Sequence, residues 1–153
     1  LFTALLLNFL HLGNAPWVPD WLLICLVFWT IYQPRRVGVV WAFFLGLIMD
    51  VHNGNLLGQH AFMYPIIAFF GIYWQRRVLG FARTQQALHL FPLFFAASIW
   101  PILIRWIASG ELPLWAWASL FSAFIEALLW PVAVWLLLAP QRRPTDVDLN
   151  RPI

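Results

Sequence analysis

The sequence predicts an all-α integral membrane protein, one bundle of six transmembrane helices with both termini in the cytoplasm. Three observations predict it. Hydrophobic residues fill 63% of the 153 positions and charged residues only 10%. A soluble domain carries about 25% charged residues, so there is too little polar side chain here to coat a globule in water. Apolar runs of helical length alternate with short polar connections. Finally, the arginines cluster in every second connection, as the positive-inside rule requires of a weave through lipid.

This length leaves room for about six crossings and no separate soluble domain. A single transmembrane domain is expected over 1–140, with a charged cytoplasmic tail over 141–153. All nine basic residues are arginine. In a membrane protein such charge sets orientation before it points to nucleic acid. The single cysteine, Cys25, excludes an internal disulfide and a cysteine-based zinc site. The chain begins at Leu1 without a basic n-region, so its start reads as the remainder of a first helix and not as a signal peptide.

The elements follow in order. Residues 1–12 form the first helix, and 13–20, with Pro16 and Pro19, a loop. The second helix runs over 20–33, with Trp17 and Trp21 at one end and Tyr32 at the other, the interfacial level that aromatic rings prefer. Pro34-Arg35-Arg36 is a basic turn. The third helix covers 37–49 and spans roughly 20 Å of a hydrocarbon core about 30 Å thick. The fourth covers 56–74, and a second basic loop follows over 75–85. The fifth covers 86–108, an acidic turn 110–113, and the sixth 114–138. Arg35, Arg36, Arg76, Arg77, Arg83, Arg142 and Arg143 fall on one side, and Asp20, Asp50 and Glu111 on the other. Arg105 stands near the outer end of the fifth helix, where its stem can snorkel to the interface. Pro65, Pro92, Pro101 and Pro131 fall inside helices and invite kinks.

The stretch around which the rest is organised is Gly46-Leu-Ile-Met-Asp50-Val-His-Asn-Gly54-Asn-Leu-Leu-Gly58. A short helix runs into a carboxylate, breaks in a polar turn and restarts. Because the third helix is short, the turn sits below the outer surface, where polar backbone must be covered by protein or line a wet cavity. Gly38, Ala42 and Gly46 recur every four residues on the third helix, and Ser119, Ala123 and Ala127 on the sixth. Small residues let helices approach closely in lipid, so both faces are candidates for packing within the chain or against a partner. Asp50 lies about 40° around the axis from Gly46. It needs hydrogen bonds from the turn's own N–H groups, from Asn53 or Asn55, or from a partner. The preferred reading is that it fixes the turn; a contact with a ligand or partner is the other.

Glu126 falls at the middle of the sixth helix. A charge there costs several kcal/mol, so it should face protein and be protonated or bonded. Ser122, one turn earlier, is a candidate local partner. An interhelical or interprotein hydrogen bond is preferred to a proton relay or ligand contact. His11, Asp50, His52 and His60 fit no zinc spacing, so no metal is expected. No Ser-His-Asp set, phosphate loop or carboxylate pair can be assembled, so neither catalysis nor a cofactor is expected.

With these motifs in hand, the chain resembles the MreD family of bacterial rod shape-determining membrane proteins. The carrying segments are Pro19-Asp-Trp21-Leu-Leu, Phe28-Trp29 to Pro34-Arg35-Arg36-Val37, Gly46 through Asp50 and Gly54 to Gly58, Gln85-Gln86-Ala87, and Leu129-Trp130-Pro131. Their order and spacing, not any one of them, are specific. The resemblance implies a non-enzymatic partner in cell-wall elongation, in the inner membrane. It implies association with MreC, and through it a link between MreB filaments, the glycosyltransferase RodA and a class B penicillin-binding transpeptidase. It also implies a fold similar to the six-helix substrate-binding subunits of energy-coupling-factor transporters. Two functions follow as expectations. The first is a scaffold that buries a helix face against MreC, with Arg35, Arg36, Arg76 and Arg77 setting topology or meeting anionic lipid. The second is a small-molecule binding or transport subunit, with Glu126 and the Asp50 turn lining an outward pocket.

Overall fold

The computed structural model describes residues 2–9, 18–54 and 58–139. Among them are six helices: α1 (Phe2–Phe9), α2 (Trp21–Tyr32), α3 (Val39–Asn53), α4 (Gln59–Leu79), α5 (Arg83–Ser109) and α6 (Ala116–Leu138). The end of the first predicted helix, the loop with Trp17, residue Asn55 and the charged tail lie outside the described residues.

Local chemistry sets the helix ends. Asp20, extended at φ −78° and ψ 96°, accepts the Leu23 N–H and caps α2. Pro34 follows the end of α2, where a proline ring disfavours continued helix in the residue before it. Gly54, at φ 60°, terminates α3 by donating its N–H to the Asp50 carbonyl. Two ends differ from the sequence expectation. The third helix does not stop at Met49 but carries Asp50 within its last turn and runs to Asn53. The fourth helix continues through Gln75, Arg76 and Arg77 to Leu79, so the second pair of arginines sits on a helix and not in a loop. Gln and Arg are good helix formers, and loss of hydropathy is not loss of helix.

The helices pack as two hairpins, α3 with α4 and α5 with α6, arranged around α2. A helix apolar on every face is an interior helix, and α2 is one: Leu22, Leu23, Ile24, Leu26, Val27, Phe28, Thr30 and Ile31 are buried. Its neighbours are α1, α4 and α6, and α4 also meets α5. Trp130, Tyr64, Phe28 and Phe94 are the largest fully buried side chains.

The exterior is apolar. On α6 the outer face carries Trp117, Phe121, Phe124, Leu128, Val132 and Trp135, all exposed, while Ser119, Ser122, Ala123 and Glu126 face inward. Small and polar inside, bulky and apolar outside, is the arrangement that lipid favours and water opposes. Among the described residues α5 and α6 are long and apolar enough to cross a membrane by themselves, and α2 and α3 are apolar but shorter, with 12 and 15 residues. α4 has the length, 21 residues, but its ends carry Gln59, His60, Gln75, Arg76 and Arg77.

Candidate functional site

Three polar clusters lie within the apolar bundle. The first is the elbow between α3 and α4. Asp50 is fully buried. One carboxylate oxygen accepts the His60 N–H at 2.8 Å and lies 2.8 Å from His60 Nδ1. The other accepts the Gly58 N–H at 2.8 Å and the Ala61 N–H at 3.1 Å. These are N–H groups of the first turn of α4, which no carbonyl within that helix can reach. A carboxylate on α3 therefore caps the helix that follows, and its charge meets the positive end of the α4 dipole. Gly58, at φ 106°, lets the chain turn back so that its own N–H joins the set.

Gly46 makes this approach possible. A Cβ there would collide with the His60 carbonyl oxygen, and would stand 2.6 Å from its carbonyl carbon and 2.7 Å from Ala61 Cα. Ala42 is buried on the same side, whereas Gly38 has no atom within 4 Å of a would-be Cβ. The small face of α3 thus packs on α4 from Ala42 onward. On α6, Ser119 and Ala123 are buried and Ala127 is half-buried, on a helix whose chief neighbour is α5. Arg35, Arg36, Arg76 and Arg77 are exposed, and Gly54 is exposed at the elbow.

The second cluster joins four helices at the elbow end of the bundle. Asp20 accepts Asn8 Nδ2 at 2.7 Å, the Leu23 N–H at 3.0 Å and the Tyr64 hydroxyl at 2.5 Å. Its own N–H donates to a carboxylate oxygen of Glu126 at 3.1 Å. Asn8 Oδ1 takes the Trp21 N–H at 3.1 Å, completing the link to α1. Glu126 is 2% exposed, and its second oxygen, Oε2, has no partner among the described residues. Ser122 is not the partner of Glu126 that its spacing implied. Its hydroxyl donates to the Ser119 carbonyl at 2.7 Å and lies 3.2 Å from Ser98 Oγ on α5. A hydroxyl on a helix turns back to the backbone when an apolar face offers nothing better.

The sequence places Asp20 at the start of the second helix and on the outer side but gives it no partner, and it does not single out Asn8 or Tyr64. An aspartate directly before an apolar run is a helix-start signal and was readable as such. The separations of 44 and 106 residues that bring Tyr64 and Glu126 to it were not. The third cluster closes the opposite end. Gln86 Oε1 accepts the Tyr32 hydroxyl at 3.2 Å and Trp130 Nε1 at 3.3 Å, and its amide donates to the Phe81 carbonyl at 3.0 Å.

None of these clusters has the makings of a metal centre: among the described residues no three His, Cys, Asp or Glu converge. Among the described residues their one imidazole–carboxylate contact is His60 Nδ1 with Asp50, at 2.8 Å. The arrangement is one that ties helices together.

No solved structure matches the chain. A profile of the family described as rod shape-determining protein MreD matches residues 2–139. The chain is 32% identical over 147 residues to the rod shape-determining protein MreD of Haemophilus influenzae, covering 89% of this chain and 85% of that one. That family is a shape-determining one and not a family of enzymes. With nearly the whole of its length matched, the chain belongs to the MreD family of rod shape-determining proteins.

Proposed function

We propose that the chain is a membrane scaffold of the rod complex. Its six helices form one multi-pass unit in the bacterial inner membrane, with both termini and the charged tail in the cytoplasm. It binds MreC, and through MreC helps to couple MreB filaments to RodA and a class B penicillin-binding transpeptidase. The family membership supports a role in rod shape. The partners and the orientation are this proposal's own.

One observation carries the scaffold reading. The inner face of α3 is fastened to α4 by Gly46 and Asp50, while Val40, Trp41, Phe44, Ile48 and Val51 on its outer side are exposed. Trp41 is 62% exposed and Val51 68%. A rigidly held helix with a free apolar face and a large aromatic anchor is suited to receive a single transmembrane helix such as that of MreC. The test is co-expression with an MreC-type protein and co-purification in mild detergent, with a photo-crosslinking residue at Trp41 or Phe44. Crosslinks from these positions, and loss of MreC on Trp41→Ala with Phe44→Ala, are expected. If MreC is not retained by the parent chain, the scaffold reading fails.

A second reading, a membrane-embedded small-molecule binding subunit of the energy-coupling-factor kind, is favoured by one feature. A cavity of about 200 Å³ lies against Glu126, between α2, α4, α5 and α6.

A further inference from the structure

The polar part of that cavity's wall is rich in hydrogen-bond acceptors. Glu126 lines it, and Glu126 Oε2 is buried with no donor among the described residues; the oxygen is tolerated there while the acid keeps its own proton, and an ionised Glu126 needs a donor from outside these residues. Ser98 and Ser122 line it too. Their hydroxyl protons stay within the protein, on the carbonyls of Phe94 at 3.2 Å and Ser119 at 2.7 Å or between the two oxygens, which lie 3.2 Å apart. A hydroxyl has one proton and two lone pairs, so what these two serines offer the cavity is lone pairs. Pro101 has no N–H to return to the carbonyl of Ala97, and both residues line the space.

The charge balance points the same way. Asp20 also lines the cavity, and its carboxylate already holds Asn8, Leu23 and Tyr64. The remaining titratable group is His60, whose Nδ1 is taken by Asp50. The chain contains no lysine, and among the described residues no arginine pairs with Asp20 or Glu126. Two acids thus stand beside this half-open space, and among the described residues no arginine faces them. No convergent set of metal ligands exists among the described residues. A neutral water supplies two donors and no charge. An ammonium group supplies three donors and one positive charge.

We infer that the cavity binds a small primary amine, its ammonium on Glu126 Oε2 and the Ser98 and Ser122 hydroxyls, its short chain against Leu23 and Met63. An apolar cavity of about 150 Å³ accommodates a six-carbon ring, so a chain of roughly five heavy atoms fits here. The inference rests on the second reading above and gives it a ligand class. It is independent of the scaffold role, because the α3 face and the cavity share no residue.

The test uses the full chain in zwitterionic nanodiscs, with n-butylammonium chloride and n-butanol as charged and neutral probes of one shape. Saturation-transfer NMR reports binding. Butylammonium is expected to bind at least tenfold more tightly than butanol. Glu126→Gln is expected to abolish that preference, and Glu111→Gln, on an exposed turn, to leave it intact. Ala97→Leu fills the cavity without touching a polar group and should abolish binding of both probes; it serves if Glu126→Gln does not fold. Equal binding of the two probes, or a preference that survives Glu126→Gln, overturns the ammonium assignment and leaves the small-molecule reading standing. If neither probe binds the parent chain, both are overturned.

Discussion

Replacing Asp50 by asparagine removes one acceptor oxygen and puts an NH2 group in its place. The carboxylate serves four donors, two on each oxygen: the N–H and ring nitrogen of His60 on one, the N–H groups of Gly58 and Ala61 on the other. Asparagine keeps one pair and faces the other with its own donors. Two buried donors lose their acceptor at about 1–3 kcal/mol each, so the cost is roughly 2–6 kcal/mol. Against a total stability of about 5–15 kcal/mol, that is a large share. His60→Ala, by contrast, leaves all three backbone contacts and should cost about 1–2 kcal/mol. The assay is reversible unfolding in mixed micelles, followed by the fluorescence of the eleven tryptophans. Amide exchange at Gly58 and Ala61 should quicken in Asp50→Asn before that of mid-α4. If Asp50→Asn unfolds within about 0.5 kcal/mol of the parent, or if His60→Ala is equally damaging, the carboxylate does not cap α4 as argued.

Two further outcomes follow from the same geometry. Gly46→Ala places a methyl group against the backbone of His60 and Ala61, and neither can rotate away. The α3–α4 hairpin must open, at about 1–3 kcal/mol, read in the same unfolding assay; Gly38→Ala, with open space around it, should be close to neutral. The orientation is checked by thiol labelling in intact cells, in a Cys25→Ser background. A cysteine at Glu111 should react with a membrane-impermeant reagent, and one at Arg36 or Arg77 only after permeabilisation; the reverse pattern would invert the weave.

Much of the architecture could be read before any coordinates. Composition implied apolar helices, and Gly54 and Gly58 marked the break between the third and fourth, because a polar, glycine-bounded interruption in an apolar run has few other uses. The helix ends were harder. Asp50 and His52 read as loop residues because they are polar, yet both lie in the last turn of α3, and Arg76 and Arg77 misled in the same way on α4. Hydropathy reports where a helix meets lipid, not where its backbone bonds stop. The Asp20 cluster was illegible for another reason. Asn8, Tyr64 and Glu126 come from three different helices, and no periodicity within one segment encodes a meeting between segments. Ser122 shows the limit of local inference: it shares a face with Glu126, but its hydroxyl had a nearer carbonyl.

Gln86 is one of two cross-ties on the same three helices. One amide oxygen gathers donors from α2 and α6 while sitting on α5. Ser98, at the cavity, lies twelve residues further along the same helix, about 18 Å away. The same three helices are tied again there, Ser98 to Ser122 on α6 at 3.2 Å and the Asp20 N–H at the head of α2 to Glu126 at 3.1 Å. With ties about 18 Å apart, splaying the helices at one level works against the bonds at the other, as in a frame braced at top and bottom.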